Sequence, residues 1–109
     1  MRNEKTLRAL GLCAKAGKLI SGVPLICDAL KAKSGKRGGV SLVVAASDNS
    51  ANTAKRLSDR CAYYGVRLIP LDVDGDCLSE ALGKRSRIAA VAITDENLCR
   101  LVEGTLRDD

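Results

Sequence analysis

The chain of 109 residues contains no histidine, phenylalanine or tryptophan, and only two prolines, two tyrosines and one methionine. Without imidazole there is no Ser-His-Asp triad, no His-activated cysteine and no histidine to complete a zinc site. Without large aromatic side chains the core has to be built from Leu, Ile, Val, Ala and Cys, which the 46% hydrophobic content supplies. No apolar run reaches the roughly 18 residues of a membrane span. The opening "MRNEKTLRAL" mixes acids with bases and lacks the apolar stretch of a secretory signal, so a cytoplasmic protein with no membrane association is expected. The length fits one domain over residues 1–109.

Five cysteines are present, Cys13, Cys27, Cys61, Cys77 and Cys99. They are odd in number, widely spaced and form no C-x-x-C pair, which fits small buried hydrophobes in a reducing compartment. Neither a metal site nor a cofactor is expected. The carboxylates Asp72, Asp74 and Asp76 alternate as in a calcium loop, but Gly83 stands where that loop needs a bidentate Glu. "DVDGD" therefore reads as a turn.

Charge is present in excess, and unevenly. The net charge is +5, yet residues 1–67 hold thirteen Lys/Arg against four Asp/Glu, and residues 68–109 hold five against nine. Such asymmetry points to a polyanionic partner for the basic part. Lys31, Lys33, Lys36 and Arg37 make one basic knot, and Lys84, Arg85 and Arg87 a second.

Apolar residues at helical spacing predict a helix over residues 3–15, ended by Gly17, and a second over Val23–Lys33 with Pro24 in its first turn. "KLIS" between them reads as extended, and "KSGKRGG" as a basic loop. The β-branched run "VSLVVAA", residues 40–46, predicts a strand buried on both faces. Asp48, Asn49 and Ser50 are cap candidates for a helix closed by Gly65; "VRLIPL" is the next strand. Asp76 is expected to cap a short helix from Cys77 to Leu82. "KRSR" then leads into the buried strand "IAAVAIT", and Asp95 caps the last helix. Strands alternating with helices imply a three-layer α/β/α sandwich with a small mixed sheet of about four strands.

The stretch "AGKLISGVPLICDALK" places Gly17-Lys18 and Gly22 near a helix start, where backbone N–H groups and the helix dipole favour an anion. A nucleotide loop is excluded: Leu12 stands where its first glycine belongs, Leu19 replaces the magnesium-binding hydroxyl, and a helix precedes instead of a strand. "GKRGG" precedes a strand and so fails as a dinucleotide fingerprint. An RNA backbone suits the pieces: Lys15, Lys18, Ser21 and the N–H groups of Gly22 and Val23 would ring the start of the second helix. The residues alone leave that reading level with a solvated lysine face.

The order "AGKLISG", "LVVAASD", "NTAKRLSDRCAYYGV", "LG" and "VAITDE" resembles the superfamily of kink-turn RNA-binding ribosomal proteins of the L-seven-Ae and L-thirty-e types, and within it the small bacterial YlxQ-like branch. The similarity runs from about Leu10 to Leu101. It implies a sandwich that grips sharply bent RNA between the start of the second helix, Gly22–Lys31, and the loop before the last long strand, Lys84–Ile88. It would bring the two basic knots together. The candidate RNA-binding residues are then Lys15, Lys18, Ser21, Gly22, Val23, Lys31, Lys84, Arg85, Ser86, Arg87 and Ile88. The implied role is non-enzymatic binding of structured RNA, extending to ribosomal RNA and the ribosome, by a monomer.

The chain departs from the family's second-helix signature, Gly-x-Asn-Glu-x-x-Lys. Gly22 matches, but Pro24 stands at the asparagine, Leu25 at the glutamate and Asp28 at the lysine. Proline offers no N–H donor and leucine no acceptor, so the groups that read the bend's sheared G·A pairs are replaced. The loop also differs, with Lys84, Arg85 and Arg87 where archaeal members carry apolar and acidic residues. The alternative is a protein–protein interaction module on the same fold, and an exposed Pro24-Leu25 patch would favour it. Tyr63 and Tyr64 are expected to split, one packed and one partly exposed, and neither is assigned to RNA.

Overall fold

The computed structural model describes residues 3–33 and 39–108; Lys36 and Arg37 of the first basic knot lie outside them. In chain order the elements are α1 (Glu4–Lys15), β1 (Leu19–Ser21), α2 (Val23–Lys33), β2 (Leu42–Ala45), α3 (Ala51–Tyr64), β3 (Arg67–Pro70), α4 (Gly75–Ala81), β4 (Ala90–Ile93) and α5 (Glu96–Asp108). The sheet runs β1-β4-β2-β3. β4 is antiparallel to both β1 and β2, and β2 and β3 are parallel.

The two central strands, LVVA and AVAI, are buried along their whole length, which is why they read as unbroken apolar runs. Their side chains alternate between two cores. Leu42, Val44, Val91 and Ile93 pack with Leu10 and Cys13 of α1, Leu78 of α4 and Val102 of α5. Val43, Ala45, Ala90 and Ala92 pack with Ile26 and Leu30 of α2 and Leu57 and Cys61 of α3. The mixed α/β sandwich expected from the sequence is the observed one. β3 is an edge strand, half-exposed, where Pro70 has no central-ladder N–H to forfeit. Among the described residues no helix is long and apolar enough to cross a membrane.

The caps decide among the candidates for α3 and correct the expectation for α4. Ser50, one of three candidates, caps α3 by accepting from the Thr53 N–H at 3.2 Å. The cap of α4 is Asp74, not Asp76: its carboxylate accepts from the Cys77 N–H at 2.7 Å, so the helix starts at Gly75, two residues earlier than expected. Asp95 caps α5 as expected, accepting from the Leu98 N–H at 2.9 Å. All five cysteines are free thiols; four are buried and Cys77 is half-buried.

Candidate functional site

β1 ends where β4 begins, and this junction positions the site. The Gly22 N–H donates to the Ala90 carbonyl at 3.1 Å, and its φ of 97° turns the chain directly from β1 into α2. Such a conformation is open to glycine and strained for other residues. The first intrahelical donor is the Ile26 N–H, bonded to the Gly22 carbonyl. The N–H groups of Val23 and Leu25 therefore precede the ladder at the positive end of the helix, and Pro24 has none to offer. The Gly22 N–H, expected to face an anion, is instead spent on the sheet.

The loop before β4 faces this helix start. Between them lies an open cavity of about 520 Å³. Leu19, Ile20, Ser21 and Gly22 form one wall, Leu25 another, and Lys84, Ser86, Arg87 and Ile88 the third. The floor is thus aliphatic and the rim cationic. The volume is that of a site for a small organic group.

The loop is pinned. The Lys84 N–H donates to the Ser79 carbonyl at 2.8 Å and the Ile88 N–H to the Gly75 carbonyl at 3.2 Å. Arg87 runs over Gly75 so closely that a β-carbon there would lie 2.5 Å from its Cγ. Its guanidinium donates to Asp48 Oδ1 at 2.6 Å and to Asn49 Oδ1 at 3.0 Å. The same Asp48 oxygen accepts from the Gly75 N–H at 2.9 Å. These bonds from Arg87 and Gly75 hold the Asp48 carboxyl below its ordinary pKa. Asn49 in turn donates to the Ala46 and Ala89 carbonyls, at 3.3 and 3.0 Å, tying the ends of β2 and β4 together.

Of the sequence-predicted residues, Ser21, Gly22, Lys84, Ser86, Arg87 and Ile88 meet in the cavity. Arg85 is exposed on the same loop; Val23 turns its side chain into the core and brings only its N–H. Lys15 and Lys18 do not ring the helix start. The Lys18 carbonyl accepts from the Thr94 N–H, at the opposite end of β4 from Ala90, and the three extended residues of β1 put about 10 Å in between. Lys31 is likewise separated: nine residues beyond Gly22, it lies about 14 Å along the axis of α2. Among the described residues, the structure therefore brings the second basic knot to the helix start and leaves Lys31 apart from it.

The sequence does not single out Leu19 and Ile20 as cavity walls, or Asp48, Asn49 and Gly75 as the pin; Leu25 stands out in it only as a replaced reader position or a protein contact. One signal was present: three consecutive cap candidates before α3 are more than a single helix start uses.

The chain is thus a small α/β/α sandwich with a cationic loop set against the start of its second helix. No protein-family model matches the chain. It is 34% identical over 87 residues to the RNA-binding protein YlxQ of Bacillus subtilis (strain 168), covering 80% of either chain. With the RNA-binding protein YlxQ of Enterococcus faecium it shares 28% identity over 88 residues, 81% of this chain and 80% of that one. The chain belongs to the YlxQ family. Among solved structures, a protein of unknown function from Bacillus halodurans matches with a TM-score of 0.80 at 28% identity, covering 94% of this chain and 97% of that one. The Giardia lamblia 15.5kD RNA binding protein shares the fold, with a TM-score of 0.75 at 17% identity over 95% of this chain and 83% of its own.

Proposed function

We propose that this protein binds structured, kink-turn-like RNA, without catalysis, at the cavity between the start of α2 and the loop 84–88. The observation that supports the reading most directly is that cavity: an aliphatic floor under a cationic rim, at a helix N-terminus, in a chain whose family relatives are named as RNA-binding proteins. Lys84, Arg85 and the remaining N–H groups of Arg87 attract phosphates, as do the Val23 and Leu25 amides. Ser21 and Ser86 supply hydroxyls, and Gly22 lets the RNA backbone approach closely. Ile88 and Leu25 cover an apolar surface of the RNA. Lys31, on the exposed side of α2, and Lys15 and Lys18, beyond β1, touch only outlying phosphates. The reading takes the chain as one domain, monomeric and cytoplasmic, with ribosomal RNA among its targets.

Pro24, Leu25 and Asp28 remove the side chains that read G·A pairs, so recognition rests on backbone shape and charge. Titration against a kink-turn RNA, and against the same RNA with its G·A pairs mutated, at two salt concentrations, tests this. The expected result is preference for the intact kink and affinity that falls steeply with salt. Equal, salt-sensitive binding to both makes the protein a general structured-RNA binder; no binding at either salt overturns the reading.

One observation favours the alternative. Pro24 is exposed and Leu25 is 61% exposed, the condition set for a protein-interaction module. Leu25 also walls a cavity whose opposite side is cationic, which a purely apolar partner would not match. The two readings separate on Leu25 itself.

A further inference from the structure

The outer face of α3 carries chemistry that the cavity does not use. Arg56 and Arg60 stand one helical turn apart, Tyr63 follows three residues on, and all three are exposed on one stripe of the helix. Tyr63 is 81% exposed, an unusual position for one of only two aromatic residues in the chain. Its ring is braced at 4.9 Å and 81° against Tyr64, which itself packs on the core between α2 and α3. Arg8, Arg67 and Arg87 are each paired with a carboxylate, whereas among the described residues Lys55, Arg56 and Arg60 have no ion-pair partner. α3 holds a single acid, Asp59.

We propose that this face is a second RNA contact, taking a single-stranded segment with its phosphates on Arg56 and Arg60 and one base stacked on Tyr63. Single-stranded nucleic acid needs only cations and an aromatic face, and every base has a π-surface to offer. A protein partner would need an apolar centre to bury, and the stripe offers none: the helix neighbours of the tyrosine, one turn back, are Asp59 and Arg60, so the cations at 56 and 60 outnumber the one acid beside it. The placement is consistent with the first site. Asn49 and Ser50, at the start of α3, lie against Arg87 of the cavity loop, or next to it. From Ser50 to Tyr63 the helix rises about 20 Å, the length of about six stacked nucleotides at 3.4 Å each. A strand of that length leaving the cavity end spans the distance to Tyr63. The direction of that strand rests on the proposed function; the face itself does not.

The probe is a labelled twelve-nucleotide oligouridylate, followed by anisotropy and by tyrosine emission, which in a chain without tryptophan comes from Tyr63 and Tyr64 alone. The wild type is expected to bind with salt-dependent affinity and to lose tyrosine emission on binding. Tyr63→Ala and the double variant Arg56→Glu/Arg60→Glu are each expected to weaken binding at least about fivefold, and Tyr63→Phe to retain it. Lys84→Ala/Arg85→Ala should weaken oligouridylate binding less than Arg56→Glu/Arg60→Glu does, and structured-RNA binding more, which separates this proposal from the cavity reading. Absence of oligouridylate binding overturns the proposal. So does binding that Lys84→Ala/Arg85→Ala abolishes and Arg56→Glu/Arg60→Glu leaves intact.

Discussion

Arg87 reaches Asp48 across 39 residues of sequence and bonds it at 2.6 Å, joining the cavity loop to the end of β2. The carboxylate is shared with the Gly75 N–H, so one side chain fixes both the loop and the start of α4. Its pKa is depressed, chiefly by the Arg87 hydrogen bond. With a folded-state pKa below the unfolded one, the pair contributes above the ordinary carboxylate range, and its contribution is lost as pH falls through the depressed value. Amide hydrogen exchange and chemical shifts across residues 84–88 should therefore report a loosening of the loop at acid pH. Asp48→Asn should loosen it already at pH 7 and remove that titration. An unchanged titration in the variant would assign it to another carboxylate.

Gly75 occupies a helical position, yet a β-carbon would lie 2.6 Å from Arg87 Nε and 2.8 Å from Cζ as well as against Cγ. What stands in the way is a side chain, so Gly75→Ala displaces Arg87 and leaves the backbone in place. Alanine's better helix propensity, up to about 1 kcal/mol, offsets part of the lost contact. Melting temperature is expected to change little, while affinity for structured RNA falls severalfold. A large loss of stability with retained affinity would contradict this role for Arg87.

The helix Val23–Lys33 and the two central strands were legible because local pattern and tertiary environment agree there: continuous β-branched runs are buried on both faces, and the apolar spacing of α2 is that of its core side. Asp74 and Asp76 both fit a cap of α4 by sequence, and only the bond to the Cys77 N–H decides between them. Lys15 and Lys18 look like neighbours of the helix start because they are near it in sequence, though the length of β1 lies between. The pin formed by Arg87, Asp48 and Asn49 was hidden for the opposite reason, as its members are distant in sequence and look like a surface cation and two caps. The cavity itself needed the pairing of β1 with β4, which no short-range pattern specifies.

The thiols offer a test of the two cores. Burial and the hydrogen bond to Glu103 push Cys99 up to about 12, and burial raises Cys13 and Cys61. The half-buried Cys77 is raised too, by its hydrogen bond to the Asp74 carboxylate. At pH 8 a thiol of pKa 12 is thiolate in roughly one molecule in ten thousand, and the thiolate is the reactive form. Native protein should therefore react slowly with iodoacetamide at pH 8, Cys77 leading and Cys99 lagging, whereas the unfolded chain modifies all five. Mass spectrometry of timed samples reads the order. Prompt modification of Cys99 in the native state would mean that α5 opens readily from its core.

Leu25 divides the two functional readings because it is exposed and carries little of the core. Leu25→Ala is expected to change stability by less than about 0.5 kcal/mol, as for a surface substitution outside the core, so any loss of binding reports on contact. If the cavity takes RNA, removing its apolar wall weakens structured RNA severalfold and leaves the salt dependence of binding unaltered, since no charge is lost. Lys84→Ala/Arg85→Ala should do the reverse, flattening that dependence by about one phosphate contact per residue removed. Leu25→Asn adds a sharper comparison, placing an amide near the RNA groove without a new charge. Should both Leu25 variants bind RNA as tightly as the wild type while the lysine and arginine changes weaken it, the exposed leucine lies outside the RNA footprint. The patch it forms with Pro24 would then belong to a protein partner, and RNA would be held by the loop alone.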